Sequence, residues 1–555
     1  YYSRDLIEAG VNQVERAYVS RGFLRATVEA EFPPRFEFGP DQDPASDLPA
    51  RIYLTIIVNE GGRYQITAID LPTVTDAFEA RVRAVTDPYL EDPDKRFYRR
   101  ADHAQIISAV QEIFLQEGFL EVRTDVEAEV NDETFQVRLI IDVARGVQYR
   151  LGRITFRTDT LEPGFLADII TLRPEDGQIY SIGRERESYR RILSTNLVES
   201  LRFRRFTDPE TGLVDVEIIV QEAPSIELRP HVGWGSYEQL RGSIYVAENN
   251  LFGIARILGL EIGASLRSEW AELSFSDPWT IGEGEFPWNL TGFYARREGP
   301  NFTDQEFGLE VSIEHDLTPF WSVTGFYQYK DTVAFDFLSN VDASDVGRRR
   351  AQLATIGTQI RFDSARPQFD PNEGSRHTLR LGFSSKQLGS QVDFLNLRFE
   401  NSVYLPLSKP DDVVLALGFR IEFNFALFAS TLDEIPVAER IFNGGATTVR
   451  SFEEEGIRPW SDPSDTGGGA SRAIGNIEFR FPLVSNLNLY GAVFADAGTL
   501  GDDPEDVFNH WRFAVGVGVR LLSPIGPLRV DAGWNPYPRS RANRWTVHFW
   551  IGYPF

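Results

Sequence analysis

From Arg544 to Phe555 the residues Trp545, Val547, Phe549, Ile551, Tyr553 and Phe555 alternate with positions that include Arg544, Thr546 and His548. A period of two belongs to a strand with one apolar side. A chain that ends on an aromatic of that side is expected to be a barrel strand facing lipid, with a polar lumen behind it. The same one-sidedness runs through Phe513, Val515, Val517, Val519 and Leu521, whose opposite face carries Arg512, Gly516, Gly518 and Arg520. Arginines set against an unbroken apolar stripe fit a wet interior. No stretch approaches the ~18 consecutive apolar residues of a spanning helix. If the chain crosses a membrane it must do so as a closed barrel, because only helices and barrels satisfy every backbone polar group in hydrocarbon.

At 555 residues the chain is too long for one ordinary domain, so a large barrel with accessory domains is expected. It has no Cys, which removes disulfides, thiol chemistry and thiolate metal sites. It has no Met, so it is not expected to be a complete translated reading frame, and a signal peptide or more is expected to have been removed. The net charge of −26 argues against a nucleic-acid binder, which needs a basic footprint.

The first part of the chain reads as helices alternating with short strands, and it repeats. Val14, Tyr18 and Gly22-Phe23 align with Val110, Phe114 and Gly118-Phe119, an offset of 118 − 22 = 96. Val58, Gly61, Tyr64 and Ile69 align with Val143, Gly146, Tyr149 and Ile154, an offset of 143 − 58 = 85. Each aligned helix ends in Gly-Phe, and Gly suits a helix C-terminus. Self-similarity of this kind marks an array of small modules. Modules are expected at 63–146 and 147–224 in the order strand, helix, helix, strand, strand. Residues 1–62 form a partial module, so further modules are expected upstream. From Ser225 the pattern changes to strands separated by turn clusters such as Glu248-Asn249-Asn250, Gly282-Glu283-Gly284 and Asp370-Pro371-Asn372-Glu373-Gly374. About sixteen strands of about nine to twelve residues are expected in this part, near the length a tilted strand needs to cross a bilayer.

Strand parity then sorts charges to the lumen. Ile477, Phe479 and Phe481 point out, so Glu478 and Arg480 point in; Leu489, Val493 and Ala497 point out, so Phe494 and Asp496 point in. Leu528, Val530, Ala532 and Trp534 alternate with inward Arg529 and Asp531. Just before these strands runs a long connection, 426–471, containing Gly444-Gly445-Ala446-Thr447-Thr448-Val449-Arg450-Ser451-Phe452. If it folds into the lumen, Arg450 has Glu478 and Asp496 as partners away from bulk water, and the glycines permit the tight turn.

Three segments carry a family resemblance. Val449-Arg450-Ser451-Phe452 is similar to a sixth-loop signature V-R-G-F/Y, and Phe494-Ala495-Asp496-Ala497-Gly498 to a barrel signature F-x-D-x-G. Ser523-Pro524-Ile525-Gly526-Pro527-Leu528-Arg529-Val530-Asp531 looks like the penultimate hairpin of the same family. The chain resembles the TamA/BamA-like outer-membrane assembly factors, a superfamily that also holds FhaC-type transporters. The resemblance implies an α+β series of periplasmic POTRA modules followed by an all-β transmembrane barrel of about sixteen antiparallel strands over 225–555. It implies that the loop 426–471 folds inward, with Glu478, Phe494, Asp496 and Gly498 around Arg450. Ser451 stands where the signature has Gly, which bears on the loop tip because Gly tolerates positive φ and Ser does so poorly.

The same resemblance implies an insertase of the Gram-negative outer membrane that takes unfolded outer-membrane protein clients. Its partners would be the lipid bilayer and either BAM-type lipoproteins or an inner-membrane-anchored AsmA/TamB-like protein. A three-module array and a short loop after Phe452 lean toward the TamA-like branch. The alternative is a two-partner-secretion pore that exports one dedicated protein through its lumen. Closure of the barrel pairs the first strand with the last. Pro230 lacks an amide donor, Gly233 and Gly235 weaken strand order, and the far side carries Gly552, Pro554 and Phe555. A seam of this kind is expected to be short of hydrogen bonds and to accept a foreign strand laterally. No nucleotide motif is present, and His103, His231, His315, His377, His510 and His548 show no ligand spacing. Glu453-Glu454-Glu455 reads as a solvated acidic run. No cofactor, metal or catalytic residue is expected.

Overall fold

The computed structural model describes residues 4–31, 55–174, 177–278, 286–338, 346–368, 370–408, 413–428, 431–459, 467–523, 526–538 and 544–551. The chain divides into two compact units. One holds residues 1–158, 169–194 and 200–221, and the other residues 159–168, 195–199 and 222–555.

The N-terminal unit opens with α1 (Arg4–Val19), followed by β1 (Thr27–Glu31) and β2 (Thr55–Asn59), which pair antiparallel. The next elements are β3 (Gln65–Asp70), α2 (Asp76–Thr86), α3 (Pro88–Glu91), α4 (Asp102–Gln116), β4 (Arg123–Asn131) and β5 (Gln136–Ala144). Their sheet has the order β3-β5-β4, with β3 parallel to β5. The pattern returns in β6 (Arg150–Arg157), α5 (Pro163–Ile169), of which residues 163–168 are counted with the second unit, α6 (Ile182–Leu193), β7 (Val198–Asp208) and β8 (Leu213–Glu222), with sheet order β6-β8-β7. Helix α4 forms because Ile106, Val110, Ile113 and Phe114 recur at helical spacing, and all four are buried. They meet Val137, Leu139 and Ile141, the alternate buried residues of the central strand β5.

The repeat visible in the sequence has a local physical cause. Helices α1 and α4 close in the same way. Phe23 N–H donates to Tyr18 O at 3.1 Å and Phe119 N–H to Phe114 O at 3.1 Å. Each bond spans a left-handed glycine, Gly22 at φ +97° and Gly118 at +84°. The glycine carbonyl then receives the amide just before the first strand of the following repeat, Tyr64 N–H before β3 on Gly22 at 2.8 Å and Tyr149 N–H before β6 on Gly118 at 2.9 Å. A Cβ on Gly118 would lie 2.6 Å from Tyr149 O. Gly118→Ala is therefore expected to destabilise the N-terminal unit by about 1–3 kcal/mol, read as a lower urea midpoint of its helical signal. An unchanged midpoint would show that the joint tolerates a side chain.

The second unit carries sixteen strands. They are β9 (Ile226–Gly235), β10 (Gln239–Leu251), β11 (Arg256–Ser265), β12 (Ser268–Asp277), β13 (Trp288–Glu298), β14 (Thr303–Thr318), β15 (Trp321–Phe335) and β16 (Arg350–Asp363), then β17 (Gly374–Ser384), β18 (Phe394–Ser408), β19 (Val413–Ala426), β20 (Ser471–Val484), β21 (Leu489–Gly498), β22 (Arg512–Ser523), β23 (Gly526–Trp534) and β24 (Trp545–Ile551). They form one closed barrel in sequence order, with β24 returning to β9. The expected fold class is the observed one. Strand length differs from the expected nine to twelve residues: β14 has 16 and β15 has 15. The extra length has a packing reason, because Phe302 and Ala334 at these strand ends form a buried cluster with Val346 and Val437 of the long connections.

The barrel wall follows the alternation. Val517 is 60% exposed and Val547 63%, as side chains facing lipid must be in a bare chain, whereas Glu478, Asp496, Arg520 and Asp531 are buried inside. No helix among the described residues is long and apolar enough to cross a membrane.

Candidate functional site

The connection between β19 and β20 folds back into the lumen. Its turn rests on two glycines in the left-handed region, Gly444 at φ +106° and Gly445 at +123°. Gly444 N–H donates to the side chains of Asn443 and Thr448, and Ile457 N–H donates to Asn443 O at 3.0 Å, which closes the loop on itself. Ile441, Val449, Phe452 and Ile457 then bury against Leu500 and Ala514 of the wall side.

This framework presents Arg450 to three strands. Its Nε and Nη2 donate to the two oxygens of Asp496 on β21 at 2.8 and 2.7 Å, a bidentate grip, and its backbone N–H adds a third bond to Asp496 at 3.1 Å. Nη1 donates to Glu478 on β20 at 2.5 Å and lies 3.5 Å from Asp531 on β23. The guanidinium carbon sits 3.5 Å over the Phe494 ring. Arg450 is 3% exposed. The structure therefore brings Arg450, Glu478, Phe494 and Asp496 together. Gly498 lies behind them, where a Cβ would meet Val449 Cγ2 at 2.5 Å.

Ser451 resolves the departure from the signature. It does not take a positive φ. Its hydroxyl donates to Phe513 O at 3.1 Å, and its carbonyl accepts from Thr546 Oγ1 of the last strand at 3.0 Å. The residue that replaces Gly thus adds a bond to β22.

Several members of the site are not picked out by sequence reasoning as partners of Arg450. Asp531 is its third carboxylate, and Arg520 bridges Asp531 and Glu478 at 2.8 Å each. Asn476 donates to Asp496 at 2.9 Å and to Thr448 O at 2.8 Å. Parity places Arg520 and Asp531 inward, but the register that makes them neighbours of Arg450 is not in the alternation. Gly533 is the seat of the loop tip, where a Cβ would lie 2.2 Å from Arg450 O. The acidic run is not simply solvated: Glu455 is buried and ion-paired to Arg297 of β13 at 2.6 Å, and burial pushes Glu454 up to about 7.

At the closure, β24 and β9 share two paired positions among the described residues, Trp550 with Gly235 and Ile551 with Trp234. By contrast β9 and β10 pair through ten. Ser236 strengthens the junction, since its N–H donates to Phe549 O at 3.0 Å and its hydroxyl accepts from Phe549 N–H at 2.6 Å. Gly233 and Gly235 do more than loosen β9. A Cβ on Gly233 would lie 2.9 Å from Ile551 O, and one on Gly235 would press on the Trp550 ring at 3.3 Å, so both glycines let the last strand approach closely. Pro230 sits opposite Ile244 of β10. Gly552, Pro554 and Phe555 lie outside the described residues.

The Omp85 superfamily domain matches residues 250–555, more than half the chain, and covers the loop and every strand that holds it. The chain belongs to the Omp85 superfamily. Among curated relatives, the outer membrane protein assembly factor BamA of Nitratidesulfovibrio vulgaris is 21% identical over 96% of this chain, and BamA of Neorickettsia risticii is 24% identical over 100%. The chain spans 65% and 73% of their respective lengths. Among solved structures, BamA from Haemophilus ducreyi lacking POTRA domains 1–3 superposes with a TM-score of 0.74 at 17% identity, covering 89% of this chain and 100% of that one. This Omp85 protein therefore has the Omp85 barrel fold, and it lies in the outer membrane of a Gram-negative bacterium with its N-terminal α/β modules in the periplasm.

The seat at Gly533 gives a direct test of loop docking. Gly533→Ala is expected to raise protease cleavage within 442–458 several-fold, whereas Gly475→Ala, where a Cβ meets nothing within 4 Å, is expected to be silent. Equal cleavage in both variants would contradict the docking.

Proposed function

We propose that this Omp85 protein assembles β-barrel proteins into the outer membrane by templating client strands at the seam between β9 and β24, with no nucleotide hydrolysis. The observation that supports this reading is that, among the described residues, β24 shares two paired positions with β9, set beside ten between β9 and β10. A strand edge with few partners is a template for β-augmentation. Ordering of the client would be driven by burial of its apolar face in lipid and by completion of its backbone hydrogen bonds. Arg450 supports the process by holding the loop 426–471 against the wall beside β24, with Val449, Ser451 and Phe452 packed around it. We take residues 63–146 and 147–224 as POTRA modules, with 1–62 as part of another, that receive clients and assembly partners on the periplasmic side. Those partners are BAM-type lipoproteins or an AsmA/TamB-like protein of the inner membrane. The substrate is protein, and no residue is read as catalytic.

The second reading is a two-partner-secretion pore, which would pass its client through the lumen. The docked loop disfavours it, because Arg450, paired to Asp496 of β21, and Glu455, paired to Arg297 of β13, tether the loop between opposite walls of that passage.

A reversible lock on the seam separates the two. The chain has no native Cys, and Gly235 and Trp550 are register partners, so Gly235→Cys with Trp550→Cys places two thiols in disulfide reach. Oxidation is expected to stop client assembly and reduction to restore it; full activity while oxidised would rule out lateral opening. Controlled depletion followed by quantitative outer-membrane proteomics then defines the branch. Loss of many unrelated barrel proteins marks a general, BamA-like insertase, and loss of a small subset marks a TamA-like one.

A further inference from the structure

The turn cluster around Asp370 has a use that neither the seam nor the loop explains. Between β16 and β17 the described residues 364–368 and 370–373 leave the wall and return to it. The excursion is built. Ser364 N–H donates to Ser375 O at 2.8 Å, Arg366 N–H to Glu373 O at 2.9 Å and Asn372 N–H to Arg366 O at 2.9 Å. Its base is fixed by Asp363, whose carboxylate accepts from Arg361 at 2.7 Å, Arg376 at 2.9 Å and Ala365 N–H at 3.1 Å. Gly374 closes the base at φ +90°, where a Cβ would lie 2.2 Å from Ser364 O.

This hairpin reaches into the lumen. Asp370 Oδ1 accepts from Arg480 Nη1 at 3.1 Å, and Pro371 O accepts from the same nitrogen at 3.3 Å. Arg480 Nε donates to Glu478 Oε1 at 2.9 Å, while the other oxygen of Glu478 takes Arg450. The inner cluster sets four guanidinium groups, Arg450, Arg480, Arg520 and Arg529, against three carboxylates, Glu478, Asp496 and Asp531. Asp370 supplies the fourth carboxylate. Charges away from bulk water are tolerated when they are matched; Asp370, its side chain 43% exposed, sits at the edge of the cluster and brings it to four carboxylates against four guanidinium groups. A cavity of about 190 Å³ separates Asp370 and Pro371 on one side from Ala446 and Thr447 of the loop on the other, with Trp550 of the last strand on its wall. Strands alternate in direction around the barrel, so the hairpin after β16, the eighth barrel strand, lies at the end where β9 begins, which is the periplasmic end.

We propose that the hairpin 364–373 is the periplasmic floor of the lumen, and that Asp370 and Arg480 are positioning residues that hold Glu478 for Arg450. The floor depends on the barrel alone, whereas the positioning role rests on the pinned-loop reading above.

The test uses the full chain in planar bilayers, with a buried reporter, Thr448→Cys, in an otherwise Cys-free protein. Asp370→Lys is expected to raise ion conductance several-fold and to speed thiol labelling of the reporter several-fold, while heat-modifiability of the barrel is retained. Asp370→Glu is expected to behave like the parent, and Asp370→Asn serves if the lysine variant does not fold. Unchanged conductance in the folded variants would overturn the floor. Raised conductance with unchanged labelling would keep the floor and overturn the positioning role, and equal effects from Lys and Glu would overturn the carboxylate pairing. Arg450→Ala in the reporter background separates the two readings: if it leaves labelling unchanged, the pinned loop fails, and conductance alone judges the floor.

Discussion

Arg450 is a cation held inside a barrel wall one sheet thick, and much of the lumen is organised by the need to match it. Removing one partner of a buried ion pair typically costs about 3–5 kcal/mol, because the charge left behind has lost its water. Here the match comes from Glu478, Asp496 and Asp531, which sit on three strands, so the arginine cross-braces β20, β21 and β23 while it fixes the loop. The bidentate grip on Asp496 sets orientation as well as energy. Ser451 and Thr546 extend the brace to β22 and β24. The sector that borders the seam is thus tied to the loop, while the seam itself has two paired positions among the described residues.

This arrangement joins two properties that pull against each other. A closed barrel satisfies its backbone in lipid by having no edges, and a templating edge requires that closure be weak somewhere. Among the described residues the junction with the fewest paired positions is that of β24 with β9, and its surroundings are reinforced. Ser236 clasps Phe549, and Arg241 lies 4.5 Å over the Trp550 ring, so side chains add to the two paired positions described there. If the seam opens as proposed, such clasps release without unzipping a long register.

Much of this was legible in the sequence because a strand has only two faces. Alternation through β20 to β24 placed Glu478, Arg480, Phe494, Asp496, Arg520, Arg529 and Asp531 inside before any register was known, and the glycines of Gly444-Gly445 marked the turn that carries Arg450 inward. Parity does not fix how far one strand slides along the next, so it named Glu478 and Asp496 as partners and left Asp531 unassigned. Nor does it distinguish a glycine that loosens a strand from one that seats a neighbour. Gly233, Gly235 and Gly533 all belong to the second kind, and only the approach of Ile551, Trp550 and Arg450 shows it. The Asp370 cluster carries a turn signal that gives no hint of an inward excursion, since that depends on Arg480 waiting across the lumen.

On the proposed function, a folded barrel whose loop is unpinned assembles clients several-fold more slowly than the parent. The most direct measurement is reconstitution of Arg450→Ala beside the parent in liposomes, with client barrel folding followed by heat-modifiable mobility at equal amounts of inserted protein. The account predicts that the variant remains a folded barrel and that client folding falls several-fold, with Arg450→Lys failing as well because an ammonium cannot reproduce the bidentate grip. Client folding at the parent rate in both variants would contradict it.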